Sequence, residues 1–351
     1  MTTSTRNTRR RPTIRSRSDA LSVRISPRAI VVGTVFALIA TTAGIIALTT
    51  GDFPIPVADV AATLLGNGDP GTTFVINELR LPRILTGLLV GTALAVSGAI
   101  FQSVSGNVLG SPDILGFTSG AATGAITVLL VLHGTTSQAT LGALLGGAAT
   151  GAAVYALSYR HGLAGPRLIL IGISFQALLA SVNSYLITRA SLGGAVTAKV
   201  WLIGSLDSRS WEQVRPLVIA LALLLPLALY LGRSLAYLEM GTDTAKALGI
   251  DVERRGLALI AIGTALAAVA TAAAGPIGFV ALTAAPLARR LTGSSSPPLL
   301  TTALAGAALV TVADLAAKQL FSPTQLPVGI ATAAIGGIYL ATLLVQQRRR
   351  T

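Results

Sequence analysis

The sequence predicts an all-α polytopic membrane protein with about ten transmembrane helices, and three observations carry that reading. Of its 351 residues, 52% are hydrophobic and only 11% are charged, whereas soluble domains carry about 25% charged residues. Apolar segments near the ~20 residues needed to cross a bilayer recur along the whole chain. The charges collect in the tails and in the breaks between those segments. Little of the chain is left for a large soluble domain.

Taken in order, the first element is a basic tail, residues 1–28, holding Arg6, Arg9, Arg10, Arg11, Arg15, Arg17, Arg24 and Arg28. A net charge of +13 on a soluble chain would suggest nucleic acid. Here the position of the charge decides, and the tail reads as a cytoplasmic anchor under the positive-inside rule. The Arg9-Arg10-Arg11 run is no export signal, because a long polar stretch separates it from the first apolar run and no small-residue cleavage site follows. Spans are expected at about 29–49, 83–104, 114–132, 138–159, 168–188, 214–235, 257–274, 276–290, 299–317 and 328–345. With both termini inside, the inner connections receive Arg160, Arg167, Arg233, Lys246, Arg254, Arg255, Arg289 and Arg290. The closing tail, residues 347–351, adds Arg348, Arg349 and Arg350. Only Arg80, Arg83, Arg189, Lys199, Arg209, Arg215 and Lys318 fall outside, so the bias holds throughout. The segment at 276–290 is the weakest, being short and containing Pro286.

Within the spans, glycines recur at four-residue spacing: Gly87/Gly91, Gly116/Gly120/Gly124, Gly142/Gly146 and Gly147/Gly151. Small residues so spaced let helix backbones approach closely in lipid. The pentapeptide GTALA stands at Gly91 to Ala95 and again at Gly263 to Ala267, on helices running in opposite directions, as an inverted repeat or a coincidence in an Ala-rich chain would give. Three connections are long enough to hold structure: 50–82 outside, 189–213 outside with Trp201 and Trp211 at headgroup level, and 236–256 inside. In the last, Leu238, Ala245 and Leu248 are set apart by Gly241 and Gly249, which suggests two short helices at the membrane surface.

The chemistry of an enzyme is missing. There is no Cys, so thiolate catalysis and disulfides are excluded. His133 and His161 fall in loops on opposite faces without partners at metal-ligand spacing. A phosphate-binding loop needs Gly-Lys followed by Ser or Thr, but the three lysines precede Val200, Ala247 and Gln319. Ion-coupled carriers keep carboxylates within the membrane. Asp314 is the best such acid, and Lys318 four residues later is expected to pair with it across one helical turn.

The stretch RLPRILTGLLVGTALAVSGAIFQSVSGNVLGSPDILGFTSGAATGA (Arg80 to Ala125) resembles permease subunits of the FecCD type, the ABC importers for ferric siderophores, haem and cobalamin. Further matches follow in order at VWLIGSLDSRSWEQV (Val200 to Val214), MGTDTAKALGI (Met240 to Ile250), GPIGFVAL (Gly275 to Leu282), VADLAAK (Val312 to Lys318) and LPVGIATAAIGG (Leu326 to Gly337). The wording from Gly110 to Gly124 is closest to permeases of the ferric-enterobactin type. The resemblance implies a type II ABC importer permease fold over residues 29–346, with no cofactor of its own. It also implies a second permease subunit, related or identical, an ABC ATPase carrying ATP and Mg below, and an extracytoplasmic siderophore-binding protein above, all at the bacterial cytoplasmic membrane. The family's outward docking cations match Arg80, Arg83 and Lys318, the last standing where Arg is usual. Its ATPase-docking loop, within 236–256, matches Gly241, Thr242, Ala245, Leu248 and Gly249. Its inner gate, usually Arg-Asn-Pro-Leu, reads Gly106-Asn107-Val108-Leu109 here, making Asn107 and Leu109 gate candidates. At Ala284-Ala285-Pro286 the proline is shifted by one position. The expected function is ATP-driven passage of a ferric siderophore by alternating access. The alternatives are cobalamin or haem as cargo, or an ion-coupled carrier that depends on Asp314.

Overall fold

A computed structural model describes residues 13–15, 22–24, 26–51, 53–159, 165–320 and 325–348, and each of the ten expected spans is a helix in it. Helix α1 (Pro27–Thr49) begins with Pro27 in its first turn and Ser26 accepting from the Ala29 N–H, a pairing suited to a helix start. Two short helices follow, α2 (Val57–Leu64) and α3 (Pro70–Phe74), the latter capped by Asp69. A π-helical stretch, Val75–Arg80, then runs directly into α4 (Leu81–Ser105). Much of the outer connection expected at 50–82 is therefore a continuation of the second span. The bundle is completed by α5 (Phe117–Leu130), α6 (Thr136–Ser158), α7 (Gly165–Arg189), α8 (Leu192–Ile203) and α9 (Trp211–Leu238). After these come α10 (Thr242–Ala247), α11 (Val252–Ala274), α12 (Val280–Thr292), α13 (Leu299–Gln319) and α14 (Val328–Arg348). Reciprocal capping boxes, Thr135 with Gln138 and Ser210 with Gln213, open α6 and α9. Within the basic tail, β1 (Thr13–Arg15) pairs antiparallel with β2 (Ser22–Arg24), the one departure from an all-α chain among the described residues.

Among the described residues, seven helices are long and apolar enough to cross a bilayer by themselves. At 1.5 Å per residue, the 14 residues of α5 and the 13 of α12 reach only about 20 Å of the ~30 Å required. Irregular backbone completes both, which lipid tolerates only where protein covers it. Before α12, Gly275 and Phe279 are both left-handed (φ 76° and 68°), so the helix cannot start until Val280. This corrects the span expected from 276. The inner connection is corrected too. Gly241 (φ 98°) and Gly249 (φ 76°) isolate the single short helix α10, while α9 runs on to Leu238 and Asp251 caps α11.

Helices α4 and α11 occupy the centre, buried almost all round, with α9, α12 and α13 packed about them. Glycine makes that density possible. A Cβ on Gly91 would overlap the Gly306 carbonyl of α13, and one on Gly98 would overlap the Ala281 carbonyl of α12. Helix α6 turns Gly142 and Gly146 toward Gly124 and Gly120 of α5, and Gly147 and Gly151 toward Ala268 and Thr264 of α11. The two GTALA helices pack against each other, and the Ser97 hydroxyl of α4 donates to the Gly263 carbonyl of α11 (2.7 Å).

Of the two tryptophans, Trp201 packs from α8 against apolar residues of α5 and α6. Trp211 opens α9, and its indole N–H donates to the Asn77 carbonyl (2.9 Å), tying α9 to the π-helical stretch. One end of the bundle gathers this stretch, the 204–210 turn and the C-terminus of α13. The other gathers the start of α1, the end of α4, α10 and the C-terminus of α12. There Arg28 donates to the Leu291 carbonyl (2.6 Å), closing the first span onto the eighth.

Candidate functional site: two ends of one bundle

At the first end, a cavity of about 530 Å³ is lined by four cations, Arg80, Arg83, Arg209 and Lys318, and three acids, Glu78, Asp207 and Asp314. The π-helical stretch delivers Arg80, which is 8% exposed and donates to the Leu48 and Phe53 carbonyls (2.5 Å each). One turn on, Arg83 forks onto Asp314 with two 3.0 Å bonds and reaches Gln325 (3.0 Å) and Asp207 (3.3 Å). Arg83 and Asp314 side chains are 12% and 9% exposed, so the pair is shielded and planar, a geometry that Arg provides and Lys does not. The expected Asp314–Lys318 pair does not form. Lys318 donates instead to the Thr50 carbonyl (3.4 Å), and Gly51 lies beside it. Helical spacing allowed the Lys318 pair, but a two-pronged donor from α4 satisfies both carboxylate oxygens and displaces the single-point ammonium. Arg209 donates through Nε to the Ser205 carbonyl (3.1 Å). Burial pushes its guanidinium pKa down, with the Asp207 charge opposing.

At the opposite end, α4 stops at Gly106, a left-handed cap (φ 63°). The following turn is held by the Asn107 carboxamide accepting from the Leu109 N–H (2.8 Å) and by the Asn107 carbonyl accepting from Gly110 (2.9 Å). Asn107 and Leu109 are both exposed. In α10, Ala245 is fully buried and so anchors the helix to the bundle, while Leu248 is 58% exposed. The side chain of Thr242, which opens α10, lies outside the described residues.

Sequence reasoning missed a polar junction immediately before α10. Glu239, the C-cap of α9, forms an ion pair with Arg289 of α12 and accepts from the Ser103 hydroxyl of α4 (2.6 Å). Nearby, Arg255 of α11 donates to Ser234 of α9 (2.8 Å). No spacing rule signals these contacts, since each partner comes from a different helix. His133 is exposed in a turn, His161 lies outside the described residues, and no cluster of three metal-ligating side chains occurs among the described residues.

The model of the FecCD transport family matches residues 26–346. The chain is 44% identical over 308 residues to the ferric enterobactin transport system permease protein FepG of Escherichia coli (strain K12), covering 88% of this chain and 93% of that protein. It is 37% identical over 302 residues to the "Probable siderophore transport system permease protein YfhA" of Bacillus subtilis (strain 168), covering 84% and 88%. In three dimensions it is similar to a metal-chelate type ABC transporter solved in an inward-facing conformation. The TM-score is 0.80 at 30% identity, over 90% of this chain and 99% of that one. With a helical membrane bundle, short irregular segments completing α5 and α12, and this agreement along nearly its whole length, the chain belongs to the FecCD transport family of membrane permeases.

Proposed function

We propose that the chain is the membrane subunit of an importer that passes a ferric siderophore across the cytoplasmic membrane, driven by ATP that a separate ATPase subunit hydrolyses. The observation that carries the reading is α10. A short helix bounded by two left-handed glycines, anchored by Ala245 and presenting Leu248, is a rigid knob suited to seat in another protein. With no lysine set for a phosphate-binding loop, ATP belongs to that partner. Gly241, Thr242, Leu248 and Gly249 form its contact region, with Ala245 supporting from behind. The opposite cavity suits a binding protein with acidic docking groups, which Arg80, Arg83 and Lys318 would orient. Arg80 and Arg83 are largely buried and already hold partners of this chain, so their charge would set the register and direction of docking more than its affinity. Asn107 and Leu109 gate the inner mouth. A second permease subunit completes the pathway, and both basic tails face the cytoplasm.

Siderophore is favoured as cargo over cobalamin or haem because the relatives compared carry that substrate class in their names. An ion-coupled carrier is disfavoured because both Asp314 oxygens are already held by Arg83. The test is uptake of radio-iron on a panel of siderophores, with labelled cobalamin and haem alongside, in cells lacking the gene and in cells rescued with the native chain or with Leu248→Asp. Loss of one ferric-siderophore signal, restored by the native chain and not by Leu248→Asp at equal membrane levels, is expected. Loss of cobalamin or haem uptake alone would reassign the cargo, and full rescue by Leu248→Asp would overturn the role of α10.

A further inference from the structure

We propose that Glu239 is a positioning residue that couples α10 to the inner gate, an inference that rests on the reading of α10 as the ATPase contact. Glu239 lies two residues before Gly241, so it is the last fixed point of the chain before α10. Its carboxylate is held from two directions, by Arg289 on the final turns of α12 and by the Ser103 hydroxyl on the last turn of α4. The chain leaves α4 at Gly106 and enters the Asn107–Leu109 turn directly. One carboxylate therefore joins the base of α10 to the element that carries the gate and to its neighbour α12.

The rest of the packing makes this joint mechanical. Helices α4 and α12 already move together, because the Gln102 carboxamide donates to the Leu282 carbonyl (3.1 Å) and Gly98 seats against the Ala281 backbone. Helix α9 packs along α4 through apolar side chains, and Glu239 adds a polar tie at its end, two residues before Gly241. The carboxylate is 19% exposed and its guanidinium partner 32%, shielded enough for the pair to be stiff. Ser103 is buried, so its hydroxyl has no ready water to replace Glu239. A displacement of α10 is thus passed to the end of α4 through two short contacts. Without them it would reach α4 through apolar packing alone, by way of α9 and α11.

The chain has no cysteine of its own, so a single introduced thiol is read on this chain's band, apart from any thiols of its partners. A single Leu109→Cys reporter is placed in the full complex with its ATPase, and its labelling by a fluorescent maleimide is compared with and without ATP plus vanadate. The same comparison is made with Glu239→Gln, Ser103→Ala and the charge exchange Glu239→Arg with Arg289→Glu. We expect the nucleotide-dependent change in labelling to fall roughly fivefold or more in Glu239→Gln. A partial loss is expected in Ser103→Ala, which keeps the ion pair, and partial recovery in the exchange. The ATPase should copurify and hydrolyse ATP in each case, readouts that misfolding would also remove. A gate that responds normally in both Glu239→Gln and Ser103→Ala overturns the coupling role while leaving the α10 contact standing. A native gate that ignores nucleotide, or an ATPase that fails to copurify with the native chain, overturns the α10 reading and this inference with it.

Discussion

Arg83 and Asp314 meet from helices far apart in sequence, and both carboxylate oxygens are occupied by one guanidinium. Removing one member strands the other. Arg83→Leu should destabilise the chain by about 3 kcal/mol or more, because the cost of an unpaired shielded carboxylate exceeds the worth of the pair itself. Arg83→Leu combined with Asp314→Leu should recover much of that loss, as replacement of a buried pair by apolar groups often does. Thermal unfolding in detergent checks both, and a double variant no more stable than Arg83→Leu would count against this account. Arg83→Lys should fall between Arg and Leu, since it keeps the neutralising charge but loses the planar fork. The sequence pointed to Arg83 and Asp314 separately, the first through a family motif and the second as a lone acid in a span. It could not join them, because i,i+4 spacing reports only neighbours on one helix. Lys318 was therefore the only visible partner.

At the scale of elements, apolar run length was a sufficient guide to the ten long segments, and each is a helix. What stayed hidden is where the backbone departs from a straight span. The π-helical stretch carries no residue type that demands it. Helices α2, α3 and α8 are too short to stand out from their polar surroundings, and Phe279 adopts a left-handed conformation that nothing in its chemistry favours. The glycine spacing, in contrast, was informative at Gly91, Gly120, Gly124 and the four glycines of α6, which meet neighbouring helices closely, whereas Gly87 meets only side chains and Gly116 is a left-handed cap before α5. Gly98, which belongs to none of those pairs, is packed as tightly, because its β-carbon would strike the Ala281 backbone rather than a movable side chain. Gly98→Val should exceed the ~1–3 kcal/mol usual for overpacking, since α4 and α12 would have to part. Membrane levels of the variant, followed by blotting, should fall sharply, and a normally expressed Gly98→Val protein would contradict the packing described.

For the whole molecule, the consequence of the two-ended layout is a fixed sense of insertion. The turn holding Asn67 lies at the end with the cation-lined cavity, and Thr244 on α10 lies at the other, both exposed. Single cysteines at these positions should react oppositely with a membrane-impermeant maleimide in intact cells. Asn67→Cys should be labelled from outside, and Thr244→Cys only after the membrane is opened. Labelling of Thr244→Cys in intact cells would invert the topology and with it the assignment of both ends.

The glycine contacts of α6 also bear on how this chain can vary. Gly142, Gly146, Gly147 and Gly151 face two different helices, so a side chain at any of them presses α6 away from a neighbour, toward the side on which Leu141 and Leu145 are exposed. Every single-nucleotide replacement of a glycine codon that alters the residue adds at least a β-carbon or ends the chain. Much of the genetic fragility of this permease therefore sits along helix seams that carry no reactive group. A map of harmful mutations alone would point there first and mistake spacing for chemistry.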